Sequence, residues 1–286
     1  MKIYLDCYPC FLRQALSAAR RAGGTEHQQL AVLKNTMVIL DGLDTGANPP
    51  EIARLVHHAV KQEISSSDPY REAKLESTKQ ALKMLPEIRR LIDSSKDPMD
   101  TAIRLAIAGN IMDLGVVEHF GDLEKTIEKV LKQPFAIDHT EELKSMLSAA
   151  DHLLYLADNT GETVFDRAFI ERLNIPVVYA VRGVPVLNDA TVQDAEEAGL
   201  HNVADILPNG SDAPGTILEL CSDQFNEAFK RAPVIIAKGQ GNYESLSDAG
   251  SKVFCLLQVK CPVIAEDIGA PVGSIVCRRS AVSSPG

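Results

Sequence analysis

Apolar residues recur at three- and four-residue intervals in the first half of the chain, in Phe11-Leu12-Ala15-Leu16 and again in Ile52-Leu55-Val56-Val60. That is the period of a helix with one buried face. The pattern predicts a mainly helical region over residues 1–150, with strand-like runs almost absent. Pro49-Pro50 before Glu51, and Ser67-Asp68-Pro69 before Tyr70, read as helix starts, because capping side chains and proline favour the first turn. Asp97-Pro98 breaks the next helix, and the apolar helical pattern resumes from Met99 to Gly115. Asn110 and Asp113 interrupt it one turn apart, so both can face the same side. Ala106, Ile107, Ile111 and Met112 surround them, which argues against a fully solvated face, and buried polar groups require partners.

Past residue 150 the period shortens. Apolar runs at His152 to Ala157, Pro176 to Val181, Val203 to Leu207, Pro233 to Ala237 and Lys252 to Val259 alternate with helical stretches such as Val164 to Leu173. This alternation predicts an α/β domain over residues 151–280, a mostly parallel sheet covered by helices, with 281–286 as a flexible tail. Asp158 and Asn159 then sit in a strand-to-helix turn. Right-handed connections gather such turns at the carboxyl edge of the sheet, where open α/β folds bind ligands.

Composition narrows the function. The 286 residues, 45% of them hydrophobic, suffice for one large or two modest domains. Acidic residues outnumber basic ones by 39 to 29, and no Lys/Arg-rich run offers a footprint for nucleic acid or an anionic membrane. The N-terminus reaches Asp6 and Cys7 before an apolar signal core develops, and no apolar stretch has membrane length, so a cytoplasmic location is expected. Six cysteines are too sparse for a disulfide framework.

Four segments carry candidate chemistry. Leu156-Ala157-Asp158-Asn159-Thr160-Gly161-Glu162 ends a strand in a carboxylate and a carboxamide, followed by a glycine suited to a tight turn. Leu187-Asn188-Asp189 repeats an Asn-Asp pair after the next strand. If those strands are neighbours, Asp158, Asn159 and Asp189 converge as two carboxylates and one amide oxygen, a donor set for Mg²⁺ or Mn²⁺ with positions left for water and phosphate. Helix capping is the alternative, since Asp and Asn are preferred N-caps. Lys238-Gly239-Gln240-Gly241-Asn242 is a glycine-containing turn whose amides can receive an anion. Lys260 ends a very apolar strand, where it either meets an anionic ligand or extends along apolar surface into water. Lys238 and Arg182 lie in turns with easier access to solvent, which favours Lys260 as the phosphate-binding cation.

The ordered set Cys7-Tyr8-Pro9-Cys10, Asp68-Pro69-Tyr70, Gly109-Asn110-Ile111-Met112-Asp113, Asp158-Asn159-Thr160-Gly161-Glu162, Leu187-Asn188-Asp189, Lys238 to Glu244 and Lys260 resembles the damage-control phosphatases, formerly a domain of unknown function. The likeness runs from residue 1 to about residue 279 and is greatest to the microbial branch with an N-terminal Cys-x-x-Cys. It implies a helical region joined to a Rossmann-like α/β domain, and divalent-metal-dependent hydrolysis of small phosphomonoesters such as sugar phosphates, phosphopantetheine-like metabolites or nucleotides. By position it makes Asp158, Asn159 and Asp189 the ligands of Mg²⁺, Mn²⁺, Co²⁺ or Ni²⁺. The nucleophile is then either water or Asp158. It brings Asn110 and Asp113 to the site from the helical region and sets Asn242 and Lys260 on the phosphate, with Glu162 a further substrate contact or a helix N-terminal charge.

Cys7 and Cys10 fit half of a zinc site, a redox pair or a buried structural pair. The rival function is a thiol- or metal-handling protein working through them. A nucleotide-binding regulator or methyl-transfer enzyme on the same scaffold is a third, although a methyltransferase usually has a more glycine-rich first turn than Asp158-Asn159-Thr160-Gly161.

Overall fold

The computed structural model describes residues 1–43, 46–109 and 120–281. The helices α1 (Cys7–Arg21), α2 (Glu26–Asp41) and α3 (Pro49–Ile64) pack around their own core of Phe11, Ala15, Val32, Ile52, Val56 and Val60. As the sequence predicts, Pro49 and Pro50 open α3. Asn48 caps that helix by accepting from the Glu51 amide, while the Glu51 side chain accepts from the Asn48 amide. Asp68 accepts from the Tyr70 amide in the turn ahead of α4 (Arg71–Asp93), whose N-cap, Tyr70, makes no side-chain cap bond, so Ser67-Asp68-Pro69 precedes the helix without capping it.

The remaining elements are α5 (Pro98–Gly109), α6 (Phe120–Lys132), β1 (Phe135–Asp138), α7 (Thr140–Ala149), β2 (Leu153–Leu156), α8 (Thr163–Ile170), β3 (Val177–Val181), α9 (Val192–Glu197), β4 (Asp205–Pro208), α10 (Asp223–Arg231), β5 (Ile235–Lys238), α11 (Gly239–Leu246), β6 (Val253–Gln258), α12 (Pro262–Ile268) and β7 (Ile275–Arg279). Among the described residues the strands form one seven-stranded sheet in the order β1-β7-β6-β5-β2-β3-β4. The five strands from β6 to β4 run parallel, while β7 is antiparallel to β6 and carries β1 alongside it.

The five apolar runs all become strands, within one or two residues at each end. Two strands depart from expectation. β1 lies before residue 150, where strands were expected to be almost absent, and β7 was not expected. β1 is four residues long with alternate positions exposed, too short and too polar for its period to stand out from the helices around it.

β2 is buried on both faces, as befits a central parallel strand. Leu153 and Tyr155 point into a core built with α4, α5, α7 and α8, and Leu154 and Leu156 into one built with α10, α11 and α12. The helical half therefore divides. α4 and α5 cover the sheet, whereas α1 to α3 stand on their own core near its carboxyl edge, with α3 packing on α11. No helix among the described residues is long and apolar enough to cross a membrane.

Polar contacts lock α3 and α4 to the sheet side. Lys74, buried in α4, pairs with buried Asp194 at 2.6 Å and reaches Asp68 at 3.5 Å. Arg54 and His58 of α3 both bond Asp212 in the loop after β4. Partial burial alone would raise the Asp212 pKa, but the bonds from Arg54 and His58 and the Arg54 charge outweigh it and hold the group at about 2. A depressed carboxylate pKa stabilises the fold above its ordinary value of 3.8 and loses that contribution as pH falls toward 2. Asp212→Asn should therefore lower the unfolding free energy at pH 7 by about 1–2 kcal/mol. The gap to wild type should narrow in melts at pH 3; an equal gap at both pH values would show that the ionised pair is not its source.

Candidate active site

The chain order of the strands creates a crevice. From β2 the sheet grows one way through β3 and β4, and from β5 the other way through β6, so the carboxyl ends of β2 and β5 form a topological switch point. The turn after β2 carries Asp158 and Asn159. The longer turn after β3 returns to it: Ala190 N donates to Asp158 O at 2.8 Å, Thr160 N donates to Asn188 O at 2.8 Å, and Asn159 and Asp189 form an isolated bridge. In that loop Leu187 is held at φ 49°, a conformation costly for a branched residue, and its side chain packs toward the α1–α3 core.

Neither Asp-Asn pair caps a helix with its side chain. Asn159 makes no cap bond to the helical turn that follows, and α9 is capped instead by Thr191 with Asp194. The carboxylates are buried: Asp158 is 8% exposed and Asp189 3%. Burial raises the Asp158 pKa well above the ordinary range, and the Glu162 and Asp189 charges add to it against opposition from Lys260 and Arg182. Burial also raises Asp189, although Arg182 Nε donates to its Oδ2 at 2.6 Å.

Behind these residues lies a fully buried network. Lys238 donates to Glu162 Oε2 at 2.9 Å and to Asp166 Oδ1 at 2.8 Å, while Asp166 accepts from the hydroxyls of Tyr155 and Tyr179 at 2.6 and 2.7 Å. Burial opposes the lysine charge, but Asp166 and Glu162 outweigh it and raise its pKa. Asn242 donates to Ala157 O at 3.0 Å and Lys238 O at 2.7 Å, tying the ends of β2 and β5 together, and accepts from Thr216 at 2.8 Å.

A cavity of about 520 Å³ opens between this edge and the α1–α3 bundle. Asp158, Asn159, Asp189, Lys260, Cys7 and Cys10 all line it, so the fold brings these six expected residues to one space. Cys261 and Glu244 join them on the wall, and burial raises the Cys7 pKa against the hydrogen bond from the Tyr4 amide, with the Glu244 charge adding to the rise. Glu162 and Asn242 do not reach the cavity wall: both are fully buried, and their polar atoms are taken up by Lys238, Asn159 and the strand ends. Asn110 and Asp113 lie outside the described residues.

The expected exposure of Lys238 and Arg182 is corrected as well. They are 0% and 2% exposed, each bound to a buried carboxylate, whereas Lys260, like Arg13, is an exposed cation lining the cavity. Sequence reasoning missed Asp166 altogether; the signal was an acid four residues after Glu162 on the inner face of α8.

The donor set suits a small divalent cation. The buried carboxylates of Asp158, Glu162, Asp166 and Asp189 outnumber by two the buried cations bonded among them, Arg182 and Lys238. Among the described residues no three His, Cys, Asp or Glu side chains are grouped as a metal centre; the oxygen donors at the switch-point side of the cavity include the Asp158 and Asp189 carboxylates and the Asn159 amide. Mg²⁺ and Mn²⁺ accept such sparse oxygen ligation and complete their shells with water and phosphate.

Known proteins match this architecture along its length. The family model for the damage-control phosphatase ARMT1-like domain matches residues 3–276. A damage-control phosphatase of Pyrococcus horikoshii is 35% identical over 98% of this chain and 99% of its own, and one of Archaeoglobus fulgidus is 33% identical over 97% and 99%. The crystal structure of a DUF89 family protein from Pyrococcus horikoshii superposes with a TM-score of 0.90, covering 98% of this chain and 99% of that one at 35% identity. With the family model spanning nearly the whole sequence and these relatives matched end to end, the chain belongs to the damage-control phosphatase ARMT1-like domain family.

Proposed function

We propose that the chain is a divalent-metal-dependent phosphomonoesterase for a small phosphorylated metabolite, with Asp158, Asn159 and Asp189 holding the ion. The observation that carries the reading is the pair of buried carboxylates, Asp158 and Asp189, brought together at the switch point on the wall of a 520 Å³ cavity. Bound there, a divalent cation supplies Lewis-acid polarisation of a phosphoryl oxygen and a template for in-line displacement.

The residues of the chain do the rest. Arg182 holds one oxygen of Asp189 and leaves the other for the ion. Asp158 stands in the turn facing the phosphate, either attacking phosphorus itself or orienting the attacking water. The first turn of α11 brings Gln240 and Gly241 to the wall, where the helix N-terminus favours negative charge. Lys260, on the same cavity wall, supplies positive charge for the phosphate and its charge already opposes the rise of the Asp158 pKa.

The test is hydrolysis of a panel of phosphorylated metabolites by chelated protein, then with Mg²⁺, Mn²⁺, Co²⁺ or Ni²⁺ returned. Activity should vanish in chelator and recover with metal; full turnover by the chelated protein would refute the proposal. Lys260→Met keeps the stem and removes the charge, and should lower kcat/KM roughly ten- to a hundredfold without weakening metal binding. A fall mainly in kcat assigns Lys260 to charge developing in the transition state, and a rise mainly in KM to the bound phosphate. Unchanged kcat/KM would remove Lys260 from the site.

A further inference from the structure

We infer that Glu162 is a positioning residue that fixes which way the Asn159 carboxamide faces, so that its oxygen rather than its nitrogen is presented to the ion; the inference rests on the metal-site reading above. An asparagine ligates a cation only through Oδ1, and its two ends are nearly identical in shape, so something must decide the orientation. Here the decision is made from behind. Lys238 occupies Glu162 Oε2 at 2.9 Å, and Glu162 Oε1 accepts from Asn159 Nδ2 at 2.7 Å. The same nitrogen reaches Asp158 Oδ2 at 3.2 Å. Both neighbours of Nδ2 are carboxylate oxygens, which only accept, so a flipped amide would set oxygen against oxygen at hydrogen-bond distance.

With the nitrogen turned inward, Oδ1 is left on the opposite side, and Asn159 lines the cavity. Among the described residues no protein donor is bonded to that oxygen, nor is it among the buried atoms that lack a partner.

The layer behind is built to keep Glu162 an acceptor. Lys238 is fully buried, and its second carboxylate, Asp166, is itself fixed by two tyrosine hydroxyls. Tyr155 and Tyr179 sit on the neighbouring strands β2 and β3, with their rings stacked 5.3 Å apart. Orientation of one metal-facing amide is thereby referred back to the rigid centre of the sheet. Partners of this kind, lying behind the ligands, set ligand orientation and affect metal affinity.

The experiment is calorimetric titration of Mn²⁺ into metal-free protein, with thermal melts of each variant in parallel. Glu162→Gln gives Asn159 a partner that both donates and accepts, removes the orientation, and should weaken Mn²⁺ binding by roughly 10- to 100-fold. The exchange Asn159→Asp with Glu162→Gln conserves charge and restores an acceptor facing a donor at position 162, while setting an oxygen against Asp158 Oδ2, so it should recover part of the affinity lost in Glu162→Gln. Asp166→Asn removes as much buried charge without touching Asn159, so it should cost clearly less affinity than Glu162→Gln while lowering the melting temperature.

A structural role alone would move melting temperatures and leave affinity in the folded variants unaltered, which would overturn the inference. Loss of affinity in Asp166→Asn equal to that in Glu162→Gln would overturn it as well, as would an exchanged protein that folds without recovering affinity. If Glu162→Gln does not fold, the exchanged protein and Asp166→Asn decide the matter by the same criteria. Absence of saturable Mn²⁺ binding by the wild type would sink the metal-site reading itself, together with this inference; a wild type that binds and a Glu162→Gln that binds equally well would sink the inference alone.

Discussion

Asp158→Asn is expected to lower kcat by at least about a thousandfold, because it weakens the ion's hold and removes the carboxylate nearest the phosphate, together worth several kcal/mol of transition-state stabilisation. The same substitution should raise the melting temperature of the metal-free protein. Asp158 is buried, and the Glu162 and Asp189 charges add to burial in raising its pKa, so its ionised form opposes folding until a cation arrives. Asp189→Ala should abolish turnover too, but with the opposite effect on stability. Arg182, 2% exposed, donates to Asp189 at 2.6 Å and would be left as a buried charge without its carboxylate. Breaking a buried pair in this way costs about 3–5 kcal/mol. Two carboxylates proposed for one role are thus separable by melting the chelated variants. An Asp158→Asn protein with kcat within tenfold of wild type would discard the assignment.

This contrast shows what the sequence made legible and what it withheld. The turn after β2 was readable because an apolar run ended abruptly in Asp158-Asn159, and the loop after the next run held a second pair, Asn188-Asp189; the adjacency of β2 and β3 then brought them together. Arg182 and Lys238 were not readable in the same way. A cation in a turn is ordinarily solvated, and only the neighbouring elements make these two inaccessible: Arg182 is enclosed by Ala157, Thr216 and Asn242, and Lys238 by Glu162 and Asp166. Burial of that kind is a property of the fold, not of the local pattern.

Strand β7 escaped for a related reason. It runs antiparallel into a position between β6 and β1, which the alternation of strands and helices does not encode. The division of the helical half was equally hidden. The periods of α3 and α4 look alike, yet the apolar face of one meets α1 and α2 and that of the other meets the sheet.

Gly239 carries the second large effect. The sequence offered it only as part of a turn able to receive an anion; the structure gives it a steric reason. Its φ is +80°, and a Cβ built there would lie 1.8 Å from Asp158 Oδ2 and 2.2 Å from its Cγ. β5 and β2 pair side by side, so the turn leaving β5 passes against the carboxylate leaving β2, and only a residue without a side chain fits between them. Gly239→Ala should therefore incur two costs. The left-handed conformation costs about 1–2 kcal/mol. The methyl group must also push the Asp158 carboxylate away by more than about 1 Å, enough to lower kcat/KM by roughly a hundredfold.

Gly269 separates the two effects. It also has positive φ, +77°, at the end of α12, but a Cβ there meets nothing within 4 Å. Gly269→Ala should lose comparable stability from backbone strain and keep wild-type kcat/KM. If both variants retain turnover, Asp158 tolerates displacement and cannot be the group that organises the reaction; if both lose it equally, global stability rather than the contact with Asp158 governs activity. Loss confined to Gly239→Ala, accompanied by weaker Mn²⁺ binding, is the result that the close approach of these two strand ends requires.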